Sequence, residues 1–291
     1  MKKIIIYFIL LCLLLCMLCG CSDEHTQIVA TTLPVYEFTS TICMDTDLQV
    51  GQLVTESVSC LHDYTLKVSQ MRMVEAAEVI VINGAGLEDF LDDVLAAGDR
   101  VIDSSTGCHT HSTDHHANEH AHEHHHEEDP HIWLSPENAK VMARNICAGL
   151  TVAYPQYADI FAANLASLIA KLDALQAYGE EKLCDLPCRE LITFHDGFAY
   201  FAESFDLTIL EAIEEESGSE ASAQELKHLI TLVNEYQLPA VFTEVNGSIS
   251  AADVICAETN IQAYPLNMAM AGEGYFEAMY HNIDTVKEAL G

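Results

Sequence analysis

The chain has 291 residues, half of them hydrophobic, with 12 basic against 45 acidic side chains and a formal charge of −33. That imbalance disfavours nucleic acid and anionic substrates as partners and attracts cations. The acids are spread along the whole length, so the charge speaks of solubility more than of a site.

Lys2 and Lys3 precede an apolar run of sixteen residues from Ile4 to Cys19. Such a run is short for a membrane span and suits the core of a signal peptide. It ends in Leu18-Cys19-Gly20-Cys21, which resembles a bacterial lipobox. This predicts a signal peptide over 1–20, a lipid on Cys21 and a chain held to a membrane outside the cytoplasm; the alternative is an uncleaved membrane anchor. The remaining 271 residues carry 10 basic and 45 acidic side chains, a charge of −35. They suffice for one large domain or two lobes. Of the 11 cysteines, Cys12, Cys16 and Cys19 leave with the signal. Seven stay beside Cys21: Cys43, Cys60, Cys108, Cys147, Cys184, Cys188 and Cys256. Their odd number and the lack of CxxC spacing exclude a zinc ribbon and give no readable disulfide framework. They read mostly as small buried apolar residues.

In chain order, 27–31 is a short strand and Leu33-Pro34 opens a helix to about residue 43. Residues 48–54 form a second strand, and 55–64 a loop carrying His62. Residues 65–77 have helical spacing through Leu66, Met73 and Val74. The apolar run 79–82 suits a buried parallel strand. Asn83-Gly84-Ala85-Gly86 turns into a helix through Leu87, Phe90, Leu91, Val94 and Leu95, and 100–103 is a strand. Ser135-Pro136-Glu137 is a helix start: a hydroxyl cap, proline at the first helical position, then an acid. That helix runs to about 153. Pro155 restarts another over 156–183, apolar at Ile160, Leu165, Leu168, Ile169, Leu172 and Leu175. At 1.5 Å per residue it reaches roughly 40 Å, long enough to run behind two lobes and join them.

Beyond Pro187 the alternation resumes. Strands are predicted at 190–194, 207–212, 240–244 and 261–264. Helices are predicted at 198–205, 222–236, 250–259 and 274–290, with an acidic loop at 214–219. Ser222 and Glu225 form a capping box. Alternating strands and helices predict an α/β chain of two lobes, each a mainly parallel sheet flanked by helices, joined by a long connecting helix. The predicted boundaries are 21–154 for the first lobe, with a His-rich loop at 108–130, then 155–187 for the connecting helix and 188–291 for the second lobe.

Ten of the 15 histidines lie between His109 and His131, interleaved with six carboxylates and no lysine or arginine. His109, His111, His115, His116, His120, His122, His124, His125 and His126 read as a solvated, mobile metal-collecting loop, since imidazole is the commonest ligand for zinc, copper and nickel. The plainer alternative is a charge run that binds metal adventitiously. His122-Glu123-His124-His125-His126 satisfies H-E-x-x-H, but that motif needs an amphipathic helix and this tract is polar throughout. The tract ends at Asp129-Pro130-His131-Ile132-Trp133-Leu134, where apolar residues return. His131 therefore reads as a fixed ligand.

His25 follows the lipid site, and His228 and His281 fall in predicted helices as surface or satisfied residues. His62 and His195 each follow an apolar strand, where open α/β sheets place ligands. Asp63 and Asp196 come next, and a carboxylate beside a ligating imidazole can fix its tautomer. His62, His131 and His195 together read as a zinc-type ligand set.

Several segments carry a resemblance: Ser59-Cys60-Leu61-His62-Asp63-Tyr64, Ile80 to Glu88, His131-Ile132-Trp133-Leu134-Ser135-Pro136, Phe194 to Tyr200, Ala240 to Glu244 and Ala257 to Thr259. The sequence resembles, over nearly its whole length, the metal-binding extracytoplasmic solute-binding lipoproteins that feed ABC transporters, especially the zinc-uptake branch. The resemblance implies Zn2+ as transported ligand, held by His62 and His131 from the first lobe and His195 from the second. Glutamate at the third place marks manganese-binding relatives, so His195 implies zinc. It also implies an ABC permease and its ATPase as partners, a monomer anchored through Cys21, and no catalysis. Many relatives place an aspartate where this chain has Tyr264, which leaves the fourth zinc position open to water, to an acid from the His-rich loop or to its neighbour Tyr264. Some zinc relatives also have a glutamate where Leu61 stands. The rival readings are a zinc-dependent hydrolase with a three-histidine site and a surface adhesin or metal-buffering lipoprotein.

Overall fold

The computed structural model describes residues 26–56, 61, 64–91, 100–111, 128–213, 221–270, 272 and 274–291. The expectations for the signal segment, Cys21, His25, Cys60, His62, Asp63, the helix beyond Leu91, the acidic loop 214–219 and His115, His116, His120, His122, His124, His125 and His126 lie outside these residues.

The first sheet holds β1 (Ile28–Ala30), β2 (Val50–Gln52), β3 (Val79–Ile82) and β4 (Val101–Asp103) in the order β2-β1-β3-β4, all parallel. The second holds β5 (Glu190–Thr193), β6 (Thr208–Ala212), β7 (Ala240–Glu244) and β8 (Gln262–Leu266) in the order β6-β5-β7-β8, again all parallel. The same winding is thus used twice, although no sequence repeat announces it.

Both sheets are covered on two faces, because successive strand residues point to opposite sides. Ile28, Ala30, Val79 and Val81 face a central core, while Val29, Ile80 and Ile82 face outward. The outer set packs with Leu91 and with Val74 of α2 (Val68–Ala76). In the second lobe Leu191, Ala240 and Phe242 face the central core. Ile192 and Val241 face Leu229 and Val233 of α6 (Ala223–Tyr236) and Ile255 of α7 (Ser250–Thr259). The fully buried run Val79–Ile82 is what a doubly covered parallel strand requires.

The central core is one continuous cluster from Ile28 to Leu290. Its spine is α3 (Pro136–Ala153) and α4 (Ala158–Leu183). Ser135 Oγ caps α3 by accepting from Asn138 N–H at 3.4 Å. Along the 26 residues of α4, Phe161, Leu168, Leu172, Leu175, Gly179 and Leu183 make one buried stripe. Its start is tied to the first lobe, where Asn164 Nδ2 donates to Met44 O at 2.8 Å, next to the end of α1 (Leu33–Ile42). Its end is tied to the second, where the Arg189 guanidinium donates to Leu183 O at 2.8 Å and Phe205 O at 3.1 Å. Lys140 of α3 reaches Asp173 of α4 at 2.8 Å. The last helix, α8 (Tyr275–Leu290), packs on α4 and returns to α1. Tyr275 N–H donates to Glu37 Oε1 at 3.0 Å, and its ring meets Phe38 edge-on at 4.9 Å.

Several elements are shorter than predicted. The second strand keeps three residues, and α2 begins at Val68. The segment after Gly86 shows one 3-10 turn, Asp89–Leu91. The helix predicted at 198–205 is α5 (Ala199–Ser204), preceded by a 3-10 turn at Asp196–Phe198. The six described cysteines are free; only Cys43 and Cys147 are buried, so the buried-apolar reading fits two of them. No helix among the described residues is long and apolar enough to cross a membrane.

Gly179 marks where α4 touches the second lobe: a Cβ there would lie 2.1 Å from Phe205 Cε1. An open helical glycine gains up to about 1 kcal/mol on change to alanine. Here the sign should reverse, with Gly179→Ala losing about 1–3 kcal/mol through overpacking. Urea unfolding of the two proteins measures it, and a stabilised variant would contradict the close approach.

Candidate metal centre

Strand register brings the site residues together. Thr193 pairs with Phe242 and Phe242 with Tyr264, so His195, two residues past Thr193, stands level with Glu244 and Leu266. These are carboxyl ends of parallel strands, where open α/β sheets bind ligands. From the first lobe comes His131, 4% exposed, just before the 3-10 turn Ile132–Leu134.

His131 Nε2 lies 3.3 Å from His195 Nε2, with the rings at 88°. Asp129 Oδ1 accepts from His131 N–H at 2.9 Å and faces its Nδ1 at 2.7 Å. A carboxylate at Nδ1 keeps the proton there and leaves Nε2 its lone pair, aimed at His195. Two imidazole nitrogens this close need a proton or a cation between them. Ligands about 2.05 Å from a tetrahedral zinc stand about 3.3 Å apart. Asp196 Oδ1 is 3.7 Å from His195 Nε2. One ligand atom from each of His131, His195 and Asp196 fits within a 4.8 Å cluster.

The geometry bears on two of the sequence readings. A carboxylate next to an imidazole can fix its tautomer, but adjacent residues need not meet at one atom, and the Asp196 carboxylate lies 3.7 Å from His195 Nε2, on the side where a ligand would stand. The orienting carboxylate observed is Asp129, which precedes its histidine. Tyr264 does not stand level with His195: it pairs with Phe242 one pleat back, half-buried, and its hydroxyl lies 3.2 Å from Gln262 Oε1. His62 lies outside the described residues, and of the tract only His109 and His111 are described.

Other residues hold the site in place. Gly197 lies against His131, where a Cβ would come within 2.7 Å of Cγ and 2.5 Å of Met268 Cε. Trp133 Nε1 donates to Met268 O at 2.7 Å, and Tyr275 O–H donates to Trp133 O at 2.9 Å. Tyr200 O–H donates to Asp129 O at 2.6 Å. Asn83 Nδ2 donates to Pro130 O at 3.0 Å. Asn83 is itself fixed by Glu88, which accepts from Thr31 O–H at 2.5 Å, Asn83 N–H at 2.7 Å and Gly84 N–H at 3.0 Å. Burial pushes the Glu88 carboxyl up to about 7 against these bonds. Glu244 is also pushed up to about 7 by burial, with the nearby His131 pulling it back. The sequence offered the Gly197 and Glu88 segments without a role for either residue, because their roles rest on contacts across loops and lobes.

The family model described as "Zinc-uptake complex component A periplasmic" matches residues 28–289. The chain is 30% identical over 240 residues to a Treponema pallidum (strain Nichols) protein named for metal binding, covering 78% of this chain and 76% of that one. It is 28% identical over 318 aligned positions to the zinc-binding lipoprotein AdcA of Streptococcus pneumoniae serotype 4, covering 99% of this chain. It spans 61% of that relative's length. The crystal structure of a ZnuA protein superposes with a TM-score of 0.78 at 30% identity, covering 91% of this chain and all of the other.

Losing the carboxylate that orients a ligating histidine typically costs 10–100-fold in metal affinity. Asp129→Ala should weaken binding by about that factor in a chelator competition. Unchanged affinity would mean that His131 needs no such partner.

Proposed function

The chain belongs to the family of periplasmic zinc-uptake component A proteins, and from that premise we propose that it captures Zn2+ between its two lobes and hands it to an ABC permease for uptake. One observation carries this reading: His131 and His195, contributed by different lobes, bring their Nε2 atoms to 3.3 Å. His62 is assigned as the third imidazole, from the loop after β2. Asp196 is the carboxylate best placed for the fourth position. An imidazole-rich set favours zinc over manganese, which prefers carboxylate and water.

The family is one of transport components rather than enzymes. No P-loop is present in the sequence, so a separate ATPase would drive transport. The assignment includes residues 1–20 as signal peptide, a lipid anchor on Cys21, an extracytoplasmic location and a monomer. Lobes over 21–154 and 188–291 flank the 155–187 connector. The histidine tract gathers zinc for the site.

Changing His62, His131 or His195 singly to alanine should lower zinc affinity at least tenfold, by removing a third of the imidazole set. Competition titrations measure this. Full affinity in all three variants would move the site elsewhere.

Acid should release the metal. Imidazole must be neutral to ligate and titrates near 6.5, so zinc affinity should fall steeply between about pH 7 and 5. Glu244 adds to the proton balance. Burial holds its carboxyl up at about 7, so it keeps a proton in the acid part of this range. A divalent cation beside it favours the ionised form, so zinc binding at pH 6 expels that proton. Glu244→Gln should therefore release about one proton fewer per zinc, read by calorimetry in buffers of different ionisation enthalpy. Equal release would place Glu244 outside the field of the metal.

A further inference from the structure

Gln70, the third residue of α2, is buried, and both ends of its amide are engaged by the chain that precedes it. Oε1 accepts from Lys67 N–H at 2.8 Å, which turns Nε2 the other way. A helix cap needs that bond alone. The Nε2 end does more: it donates to Leu53 O at 2.7 Å and to Tyr64 Oη at 2.6 Å. Tyr64 O–H donates onward to Glu56 Oε2 at 2.8 Å, and the Lys67 ammonium meets Glu56 Oε1. Lys67 first and Tyr64 next hold the Glu56 carboxyl down at about 2, so this acceptor stays ionised wherever imidazoles titrate. The Tyr64 ring meets Phe90 edge-on at 5.3 Å. Leu53 and Val54 are themselves fastened to the end of β1, donating to Ala30 O at 2.8 Å and Thr31 O at 3.0 Å. Further on, Leu61 is buried in the central core, and Tyr64 N–H donates to Leu61 O at 3.0 Å. In the sequence, His62 and Asp63 stand between Leu61 and Tyr64.

We infer that Gln70 is a positioning residue for the metal ligand His62, acting through Leu53 and Tyr64. The inference rests on the assignment of His62 as the third imidazole and adds the side chain that places it. A ligand serves a metal site only when its support holds it to a fraction of an ångström, and a loop gives less support than a strand end or a buried turn. His195 follows β5, and His131 is held by Asp129 and Gly197. The loop after β2 has Gln70, whose one amide joins the strand end at Leu53 to the residue two places beyond His62. A neutral amide suits this post, because it offers two donors and an acceptor without a charge to bury. Glutamate there would set a carboxylate oxygen against Leu53 O and beside Glu56. Leucine would strip Leu53 O and Tyr64 Oη of their donor.

The test uses the full chain with the seven histidines from His115 to His126 changed to serine, which keeps the length and removes competing ligands. Affinity of the tight zinc equivalent is read against a chromophoric chelator. Gln70→Leu should lower it about tenfold, the lower end of what losing a supporting contact costs a metal site. Tyr64→Phe keeps the ring on Phe90, loses the hydroxyl and should lower it about threefold. It takes the place of Gln70→Leu below if that variant does not fold. The deciding comparison is a double-mutant cycle. In a His62→Ala background Gln70→Leu should change affinity less than about twofold, because the ligand it places is gone. In a His195→Ala background the loss seen with Gln70→Leu alone should persist. A purely structural role would weaken zinc equally in both backgrounds and overturn the inference. So would full affinity in Gln70→Leu and Tyr64→Phe while His62→Ala is weakened. Full affinity in His62→Ala would instead sink the ligand assignment, and this inference with it.

Discussion

Everything at the centre of this molecule depends on the bond between Asp129 and His131. One carboxylate oxygen faces the Nδ1 and accepts from the backbone N–H of the same histidine, which sets both ring orientation and tautomer. Without it, a neutral imidazole could place its proton on Nε2 and face His195 with a donor instead of a lone pair. Asp129 is itself held through its carbonyl by Tyr200 O–H from the second lobe. His131 is followed at once by Ile132, Trp133 and Leu134, all without exposure. His131 thus sits between a histidine-rich tract and a fully buried turn.

The local chemistry of the chain was legible in advance where one residue type serves one purpose. Ser135-Pro136 starts α3, Ser222 and Glu225 close their capping box at 2.7 and 3.3 Å, and Val79–Ile82 is a fully buried parallel strand. His131 and His195 were legible as a pair because each stands where composition or secondary structure changes. What escaped depends on the third dimension. Asp129 looks like the last acid of a polar run, and only folding turns its carboxylate back onto Nδ1. Gly197 reads as a turn residue, yet it matters because His131 and Met268 crowd its missing Cβ. Tyr264 was placed by analogy with the aspartate of relatives, whereas strand register decides its level: it pairs with Phe242, one pleat behind Glu244 and Leu266. The 3-10 turn Asp89–Leu91 reads as helix because apolar residues recur there at similar spacing.

The two buried acids show how an acidic chain places charge near a cation site. Glu88 and Glu244 both titrate near 7 because burial disfavours the ionised form. A carboxyl whose folded pKa exceeds its unfolded value holds its proton more tightly when folded. Its effect on stability is most favourable below the unfolded pKa of about 4.5 and is lost as pH rises through 7. The two groups differ in what offsets that cost. Glu88 accepts three hydrogen bonds that organise the loop after β3 and, through Asn83, the peptide before His131. For Glu244 the opposing influence is the nearby His131, which pulls its carboxyl back down. One acid therefore serves architecture, while the other stands beside His131 with little to offset its burial.

The architecture also limits how the lobes move. The central core is one cluster shared by both sheets, with α3 and α4 beneath it and α8 crossing back to α1. Trp133, fully buried, donates across the lobes to Met268 O, while Tyr275 caps the Trp133 carbonyl from α8. A wide hinge opening would expose this tryptophan and strip several aromatic side chains of their partners. Burial of one large side chain is worth about 1.5–3 kcal/mol, so such an opening would exceed the energy of ordinary fluctuations. The parts of the site that can change at lower cost lie at its rim. Asp196, roughly a third exposed, is one of them. His131, by contrast, is fixed against Gly197 and Trp133.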